Sequence, residues 1–164
     1  MCLFASTVKA KKAKSKIVCY KSVYSADDYD PRYGARYFKS AFKRFLYEGG
    51  HTYFERQFSD CAPDRLVDHG FHSYRYQIDA ERNSSRAQYP ANIVLRCEIP
   101  AGSMYYTEWG DGGGGGCLCS DFLRVTGWKK PGADEPWHDT PGPMCTRIDV
   151  WWRRLKWRWF GLKK

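Results

Sequence analysis

The stretch Asn92-Ile-Val-Leu-Arg-Cys-Glu-Ile99 is the clearest strand signal in the chain, because apolar and β-branched residues fill most of it. Pro100-Ala-Gly102 predicts a turn directly after it, and residues 103–109 can return as a second strand. On the N-terminal side, residues 77–87 have a helix-compatible composition with a weak apolar face. The centre of the chain therefore reads as a helix followed by paired strands.

Working outward toward the N-terminus, three further elements are predicted. Residues 17–24 are rich in β-branched and aromatic side chains, which favours a first strand. Residues 36–46 place apolar or aromatic side chains at three- and four-residue spacing, and we expect a short amphipathic helix closed by Gly49-Gly50. A strand over residues 52–58 is expected to follow.

Toward the C-terminus, glycines 112–116 predict a flexible loop, and residues 121–128 alternate enough for a closing strand. Four prolines in residues 129–143 indicate an irregular linker. We therefore expect an α+β fold: a single compact domain with a mainly antiparallel sheet and one or two helices, plus a basic Trp-rich tail. The predicted organisation is a basic lead-in (1–16), the α+β domain (17–128), a Pro/Gly-rich linker (129–145) and a Trp/Arg-rich tail (146–164).

The size and composition of the chain fit one soluble domain. It has 164 residues, of which 43% are hydrophobic and 27% charged, and these values are close to those of globular proteins. No stretch offers the ~18 uninterrupted apolar residues of a membrane-spanning helix, and the N-terminus turns to lysines without a signal-peptide core. We expect a protein of the cytoplasm, in a bacterial host.

The net charge of +9 is concentrated at the two ends of the chain. Residues 9–21 contain six lysines and no acidic residue, and residues 146–164 contain seven basic residues against Asp149 alone. The remaining residues carry 14 basic and 17 acidic groups, so the centre is mildly acidic. A polyanionic partner should therefore meet the ends first. The alternative is that the N-terminal lysines are only a solvated, solubilising segment.

Seven cysteines are scattered along the chain, and only Cys117 and Cys119 are close in sequence. An odd count without a signal peptide indicates reduced thiols. Two thiols separated by one residue are weak metal ligands. We expect no metal and no cofactor.

The segment around His72 is a possible ligand site. Aromatic rings could stack on a base and arginines could pair with phosphate, as a nucleotide site requires. The candidate ligand-binding residues are Lys21, His72, Ser73, Tyr74, Arg75, Tyr76 and Arg82. The alternative is that His72 is half-buried at a strand end and the tyrosines line the core. No hydrolase, P-loop or dinucleotide motif is present, so no catalytic residue is assigned.

The C-terminal segment interleaves tryptophan with basic residues. If it is helical, Trp151, Leu155 and Trp159 fall on one stripe. Such a helix could pack on its own domain, contact a protein or nucleic-acid partner, or lie at a membrane surface. The candidate partner-binding residues are Trp151, Trp152, Arg153, Arg154, Trp157, Arg158 and Trp159.

Several motifs resemble a group of small uncharacterised phage and bacterial proteins. They are Gly70-Phe-His-Ser-Tyr74, Val94-Leu-Arg-Cys-Glu-Ile-Pro-Ala-Gly-Ser-Met-Tyr-Tyr106 and Ser120-Asp-Phe-Leu-Arg-Val125, with Met1-Cys2-Leu3 at the start. The resemblance covers about the first three quarters of the chain and implies no established activity. A fainter likeness to an ADP-ribosyltransferase core would place Lys21 or His72, Ser73 with Tyr74, and Glu98 or Glu108 around NAD.

These observations lead to one expectation and two alternatives. We expect a phage-type accessory protein that binds an anionic partner: a nucleic acid, a nucleotide or a nucleic-acid-bound protein. The resemblance implies a role against host defence, such as inhibiting a CRISPR nuclease or sequestering a nucleotide signal. The alternatives are an ADP-ribosyltransferase-like enzyme and a membrane-surface protein that uses its Trp/Arg tail.

Overall fold

The computed structural model describes most of the chain. It covers residues 3–5, 7, 9–25, 37–40, 45–58, 66–67, 69–86, 93–108, 116–132, 134, 136–143 and 145–160. The elements in these ranges are β1 (Leu3–Phe4), β2 (Lys11–Lys12), β3 (Ile17–Ser25), β4 (Tyr37–Ser40), β5 (Leu46–Glu48), β6 (Thr52–Phe54), β7 (Leu66–Val67), β8 (Phe71–Tyr74), α1 (Gln77–Arg86), β9 (Ile93–Ile99), β10 (Met104–Thr107), β11 (Cys117–Ser120), β12 (Phe122–Lys129), β13 (His138–Asp139) and α2 (Arg147–Phe160).

The fold is α+β, with one large antiparallel sheet, as the sequence predicts. Its strands follow the order β13-β12-β9-β3-β8-β11-β10-β2, with β4 and β5 added beside β3 and β6 beside β12. β1 and β7 form a separate pair. No helix in the described ranges is long and apolar enough to cross a membrane.

The strongest strand signal in the sequence lies at the centre of this sheet. β9 is flanked by β3 and β12, and β3 pairs with it at seven consecutive positions. Helix α1 packs over β3 and β9, where the Ser22 hydroxyl donates to the Ala80 carbonyl. Because β9 has neighbours on both edges and a helix against it, its apolar side chains are almost all buried. The main core consists of Cys19, Val23, Phe38, Tyr47, Phe71, Ile93, Leu95, Cys97, Ile99, Leu118, Leu123 and Val125.

The prediction of a helix over residues 36–46 is wrong for the part of that segment that the structure describes. β4 pairs with both β3 and β5, and Phe38 lies opposite Tyr47. Their rings are buried in the core, and Phe38 lies 6.0 Å from the ring of Trp128. Most apolar residues in the segment are aromatic and favour a pleated surface, so pairing with β3 outweighs the helical spacing. The following turn at Gly49-Gly50 is present, with a φ of 81° at Gly50.

The strands predicted over residues 52–58 and 103–109 are confirmed with shorter bounds, whereas β7, β8, β11 and β13 were not predicted. Strand β6 ends at Phe54, and β10 ends at Thr107. Among the strands that were not predicted, β11 joins β8 to β10 through its four residues. It is short and rich in cysteine, so it gives little periodic signal. The glycines at 112–115 lie outside the described residues.

The two segments expected to flank the domain contact its sheet. β2 lies within the basic lead-in and pairs with β10. The Ala13 amide donates to Ser103 O, and the Gly102 amide donates to Ala13 O, each at 2.8 Å. In the Pro/Gly-rich segment, β13 pairs with β12, and the Trp137 ring lies 6.0 Å from that of Tyr20. The described residues of both segments therefore belong to the same compact unit.

Candidate functional site

The segment around His72 forms β8, and its side chains alternate between two faces. Phe71 and Ser73 are buried, whereas His72 and Tyr74 are half-buried. Ser73 lies against Cys19. Burial raises the pKa of the Cys19 thiol to about 12, and the nearby Ser73 hydroxyl partly opposes this increase. Ser73 and His72 therefore face apart, as expected for neighbours in a strand.

Lys21 has a structural role in this region. Its ammonium group donates a hydrogen bond to the carbonyl oxygen of His72 at 2.5 Å and lies 5.5 Å from the centroid of the Tyr47 ring. Only 9% of the residue is exposed. Lys21 thus ties β3 to β8 from inside the domain, where it is poorly placed to meet a ligand.

The other predicted ligand residues are spread around β8 and α1. Burial raises the pKa of the Tyr74 hydroxyl, and the nearby Cys117 and Glu108 raise it further by smaller amounts. Arg75 and Tyr76 are exposed and contact each other, with the guanidinium 6.0 Å from the ring centroid, and Arg82 is exposed on α1. None of the seven candidates lines the cavity of about 290 Å³ at the first turns of α2 or the cavity of about 480 Å³ near Asp139. Lys21 and His72 are brought together through their hydrogen bond, whereas Arg75, Tyr76 and Arg82 are exposed.

Gly70 approaches its own chain closely. A side chain there would place its Cβ 2.5 Å from the Cys119 sulfur and 3.0 Å from the Phe58 ring, and the φ of Gly70 is 132°. The missing side chain therefore makes room for core packing.

The carboxylates suggested for an NAD site are engaged within the sheet. Glu98 accepts from Lys16 at 3.1 Å and from Arg124 at 3.3 Å. Glu108 accepts from the Cys117 amide at 3.4 Å. Among the described residues, no group of three or more His, Cys, Asp or Glu side chains is placed to hold a metal ion.

The C-terminal segment forms helix α2, which begins with a capping box. The Thr146 hydroxyl accepts from the Asp149 amide at 3.3 Å, and the Asp149 carboxylate accepts from the Thr146 amide and hydroxyl at 2.7 Å. These bonds use backbone donors that a helix start leaves without intrahelical partners. The hydrogen bond from the Thr146 hydroxyl, and next in size the one from its amide, hold the pKa of the Asp149 carboxyl below its usual value.

Helix α2 docks on the domain through an arginine and a valine. The Arg154 guanidinium forms an ion pair with Asp121, donates to Gly102 O at 3.0 Å and lies 5.6 Å from the Phe122 ring centroid. Val150 is 1% exposed. The part of α2 with described side chains therefore packs on its own domain, which is one of the alternatives left open by the sequence.

The two indoles of this helix whose side chains are described face the solvent. Trp151 and Trp152 are 59% and 49% exposed, and their rings stack on each other with centroids 5.7 Å apart. Arg153 is also exposed and donates to Thr52 O at 3.1 Å. The side chains of Trp157, Arg158 and Trp159 lie outside the described residues, although the helix backbone continues through them.

The two basic ends of the chain meet at one cavity of about 290 Å³. Strand β2 contributes Lys12, and the first turns of α2 contribute Arg147 and Trp151. Both segments rest on the Pro100–Gly102 turn, where the Cβ of a residue at position 102 would lie 3.1 Å from Arg147 Cγ. The remaining lining residues are Gly102, Ile148, Val150 and Arg154.

The cationic side chains at this cavity differ in whether a carboxylate of the protein already pairs with them. Arg154 is occupied by Asp121, whereas Lys12 and Arg147 are exposed, and neither forms an ion pair within the described part of the chain. The site therefore has two available cations and an exposed indole around a concave surface. Such a surface can hold an anion that also has a planar ring.

A second cavity, of about 480 Å³, has the opposite electrostatic character. It is lined by Glu48, His51 and Asp139, among others, and His51 Nδ1 lies 3.1 Å from Glu48 Oε2. Its lining includes no lysine or arginine. It is therefore unsuited to a polyanion.

No protein-family model, curated protein sequence or solved structure matches this chain.

Reasoning from the sequence identified both basic ends and Trp151, but it treated the ends as separate. It assigned no site role to Lys12 or Arg147, and it missed Gly102, whose turn supports both. Nothing local in the sequence indicates that residue 12 lies beside residue 147. That information comes from the pairing of β2 with β10 and from the docking of α2.

Proposed function

We propose that the protein binds nucleic acid through the cationic face formed by β2 and α2, without turning over a substrate. The observation that supports this proposal is the shared cavity of Lys12, Arg147 and Trp151. Lysine and arginine side chains at one surface attract phosphates and release their counterions. The role against host defence implied by the resemblance would use the same face, by occupying a nucleic acid or a nucleic-acid-bound protein.

Further exposed cations lie in the same two segments of the chain. Lys9, Lys11 and Lys14 are exposed on the N-terminal segment, and Lys156 is exposed two turns along α2 from Arg147. By contrast, Lys16 is paired with Glu98, and Arg154 with Asp121. The protein's own carboxylates thus neutralise part of the charge of each end and leave several cations of both ends in solvent.

Salt titration tests this function directly. The affinity for a fluorescein-labelled oligonucleotide should fall steeply between about 50 and about 200 mM salt, because phosphate contacts release counterions. Lys12→Ala with Arg147→Ala should reduce the slope of log K against log salt by about 1.5, the contribution of two phosphate contacts.

The matched control is Lys130→Ala, since Lys130 is exposed at the end of β12 opposite Asp121 and Arg154. It removes one cation and should leave affinity and slope nearly unchanged. Absence of binding at low salt, or a slope equally insensitive to all three substitutions, would rule out nucleic-acid binding at this face.

A further inference from the structure

Trp151 and Trp152 form an exposed aromatic platform beside the cationic cavity. Their rings are nearly parallel, with an angle of 15° between the planes. Ile148, one turn earlier, is 74% exposed and lies on the same side of the helix. Large apolar side chains grouped in this way on a surface commonly mark a binding site.

Cations lie on both sides of this platform. Lys156 is 5.9 Å from the centroid of the Trp152 ring, and Trp151 shares the cavity with Lys12 and Arg147. The order across the surface is therefore cation, indole, indole, cation. A nucleic-acid strand with unpaired bases presents both complementary groups, because each nucleotide has a charged phosphate and a planar ring.

We propose that this face selects single-stranded over double-stranded nucleic acid. One unpaired base enters the cavity beside Trp151, a neighbouring base stacks on Trp152, and phosphates contact Lys12, Arg147 and Lys156. This inference rests on the proposed function and specifies its ligand. Bases in a duplex are already stacked and paired, so their faces are closed to the indoles, whereas stacking on a single strand tolerates any sequence.

The shape of the site favours a nucleotide over a lipid surface. Lys12 and Arg147 line a concave cavity of about 290 Å³, at the lower end of the size range of small-ligand pockets. A single unpaired nucleotide can enter such a cavity, whereas a flat bilayer surface cannot. An interfacial helix also requires a broad apolar face, and the exposed apolar residues of the described part of α2 are Ile148, Trp151 and Trp152.

The test compares three fluorescein-labelled ligands of equal length: an oligothymidylate, a duplex, and a single strand of abasic sites. The full-length protein should bind oligothymidylate at least tenfold more tightly than the abasic strand, which has the phosphates without the bases. The combined Trp151→Ala and Trp152→Ala variant should lose this preference, with about a tenfold loss per indole, and keep the salt slope.

Ile78→Ala is the matched control, because Ile78 is a large apolar residue with a similar exposed fraction, 51%, and lies on α1, remote in sequence from α2. It should keep the wild-type preference. Thermal unfolding should be nearly unchanged in the double tryptophan variant, since α2 docks through Val150 and Arg154.

Three results would overturn the inference. If wild type binds the duplex or the abasic strand as tightly as oligothymidylate, selection of single strands fails while nucleic-acid binding stands. If no ligand binds at low salt, the proposed function fails as well. If phosphatidylserine vesicles bind wild type and not the double tryptophan variant, while oligothymidylate binds both equally, the indoles serve a membrane.

Discussion

The carboxylate of Asp121 is buried between β11 and β12, with only 4% of its side chain exposed. Burial raises the pKa of this carboxyl, and the Arg154 guanidinium and the Met104 amide partly oppose that effect. Three donors, two on Arg154 and the Met104 amide, satisfy its oxygens. A buried charge of this kind is tolerated only when it is paired and hydrogen-bonded, so Asp121 makes the docking of α2 specific to Arg154.

Replacing Arg154 with glutamine should destabilise the protein by about 2 to 3 kcal/mol at neutral pH, because it leaves the buried carboxylate without its cation. The loss should shrink as the pH falls. A carboxyl with a raised folded-state pKa binds a proton more readily when folded, so its penalty is full above the folded pKa and disappears below the unfolded pKa. Urea unfolding of both proteins across this range measures the difference.

Asp121→Asn provides the second arm of this experiment. Combined with Arg154→Gln, it removes the charge while keeping an acceptor for the Met104 amide, and it should recover part of the stability at neutral pH. If Arg154→Gln costs the same free energy at every pH, or if Asp121→Asn recovers nothing, the buried ion pair is not what holds α2.

At the scale of elements, the first turn of α2 depends on its capping box. Thr146→Ala removes the hydroxyl that accepts from the Asp149 amide and should cost about 1 kcal/mol. Amide hydrogen exchange in the first turn of α2 should become faster as that turn frays. Ser15→Ala is the control, because Ser15 is an exposed hydroxyl residue outside any helix.

This cap also has a pH dependence of opposite sign to that of Asp121. The pKa of Asp149 is lowered in the folded state, so the stability that its carboxylate provides is present above its unfolded pKa and is lost as the pH falls through its folded pKa. Equal exchange rates in α2 for wild type and Thr146→Ala would show that the cap does not hold this turn.

The sequence predicts elements well where one local signal dominates. β9, β3 and β12 have dense β-branched and apolar runs, and the turn at Pro100–Gly102 has a proline and a glycine. The prediction fails at Tyr37–Ser40, where aromatic residues fit helical spacing and strand pairing equally well, and contact with β3 decides between them. Local patterns do not contain that contact.

For the candidate site, composition predicts the chemistry but not the assembly. The basic ends and the tryptophan-rich helix face follow from residue type and position in the sequence, but the exposure of Trp151 and Trp152 does not. The choice of which arginines remain available does not, because it depends on Asp121 being buried where α2 docks. His72 and its neighbours show the reverse case, in which residues suited to ligand chemistry are used largely inside the sheet.

On the scale of the whole molecule, the two basic ends extend one compact domain and converge on the same face. β2 lies at one edge of the large sheet, and α2 contacts the adjoining turn through Gly102 and the start of β12 through Asp121 and Phe122. Folding therefore brings together cations that are far apart in sequence. We propose that these cations act as one anion-binding surface.

Lysine acylation detected by mass spectrometry, with and without saturating oligothymidylate, shows whether both ends contact the same bound strand. Lys12 from the N-terminal segment and Lys156 from α2 should both be protected by the bound strand, and exposed Lys130 should react as before. Protection of only one of the two ends, or equal protection of Lys130, would contradict a shared surface.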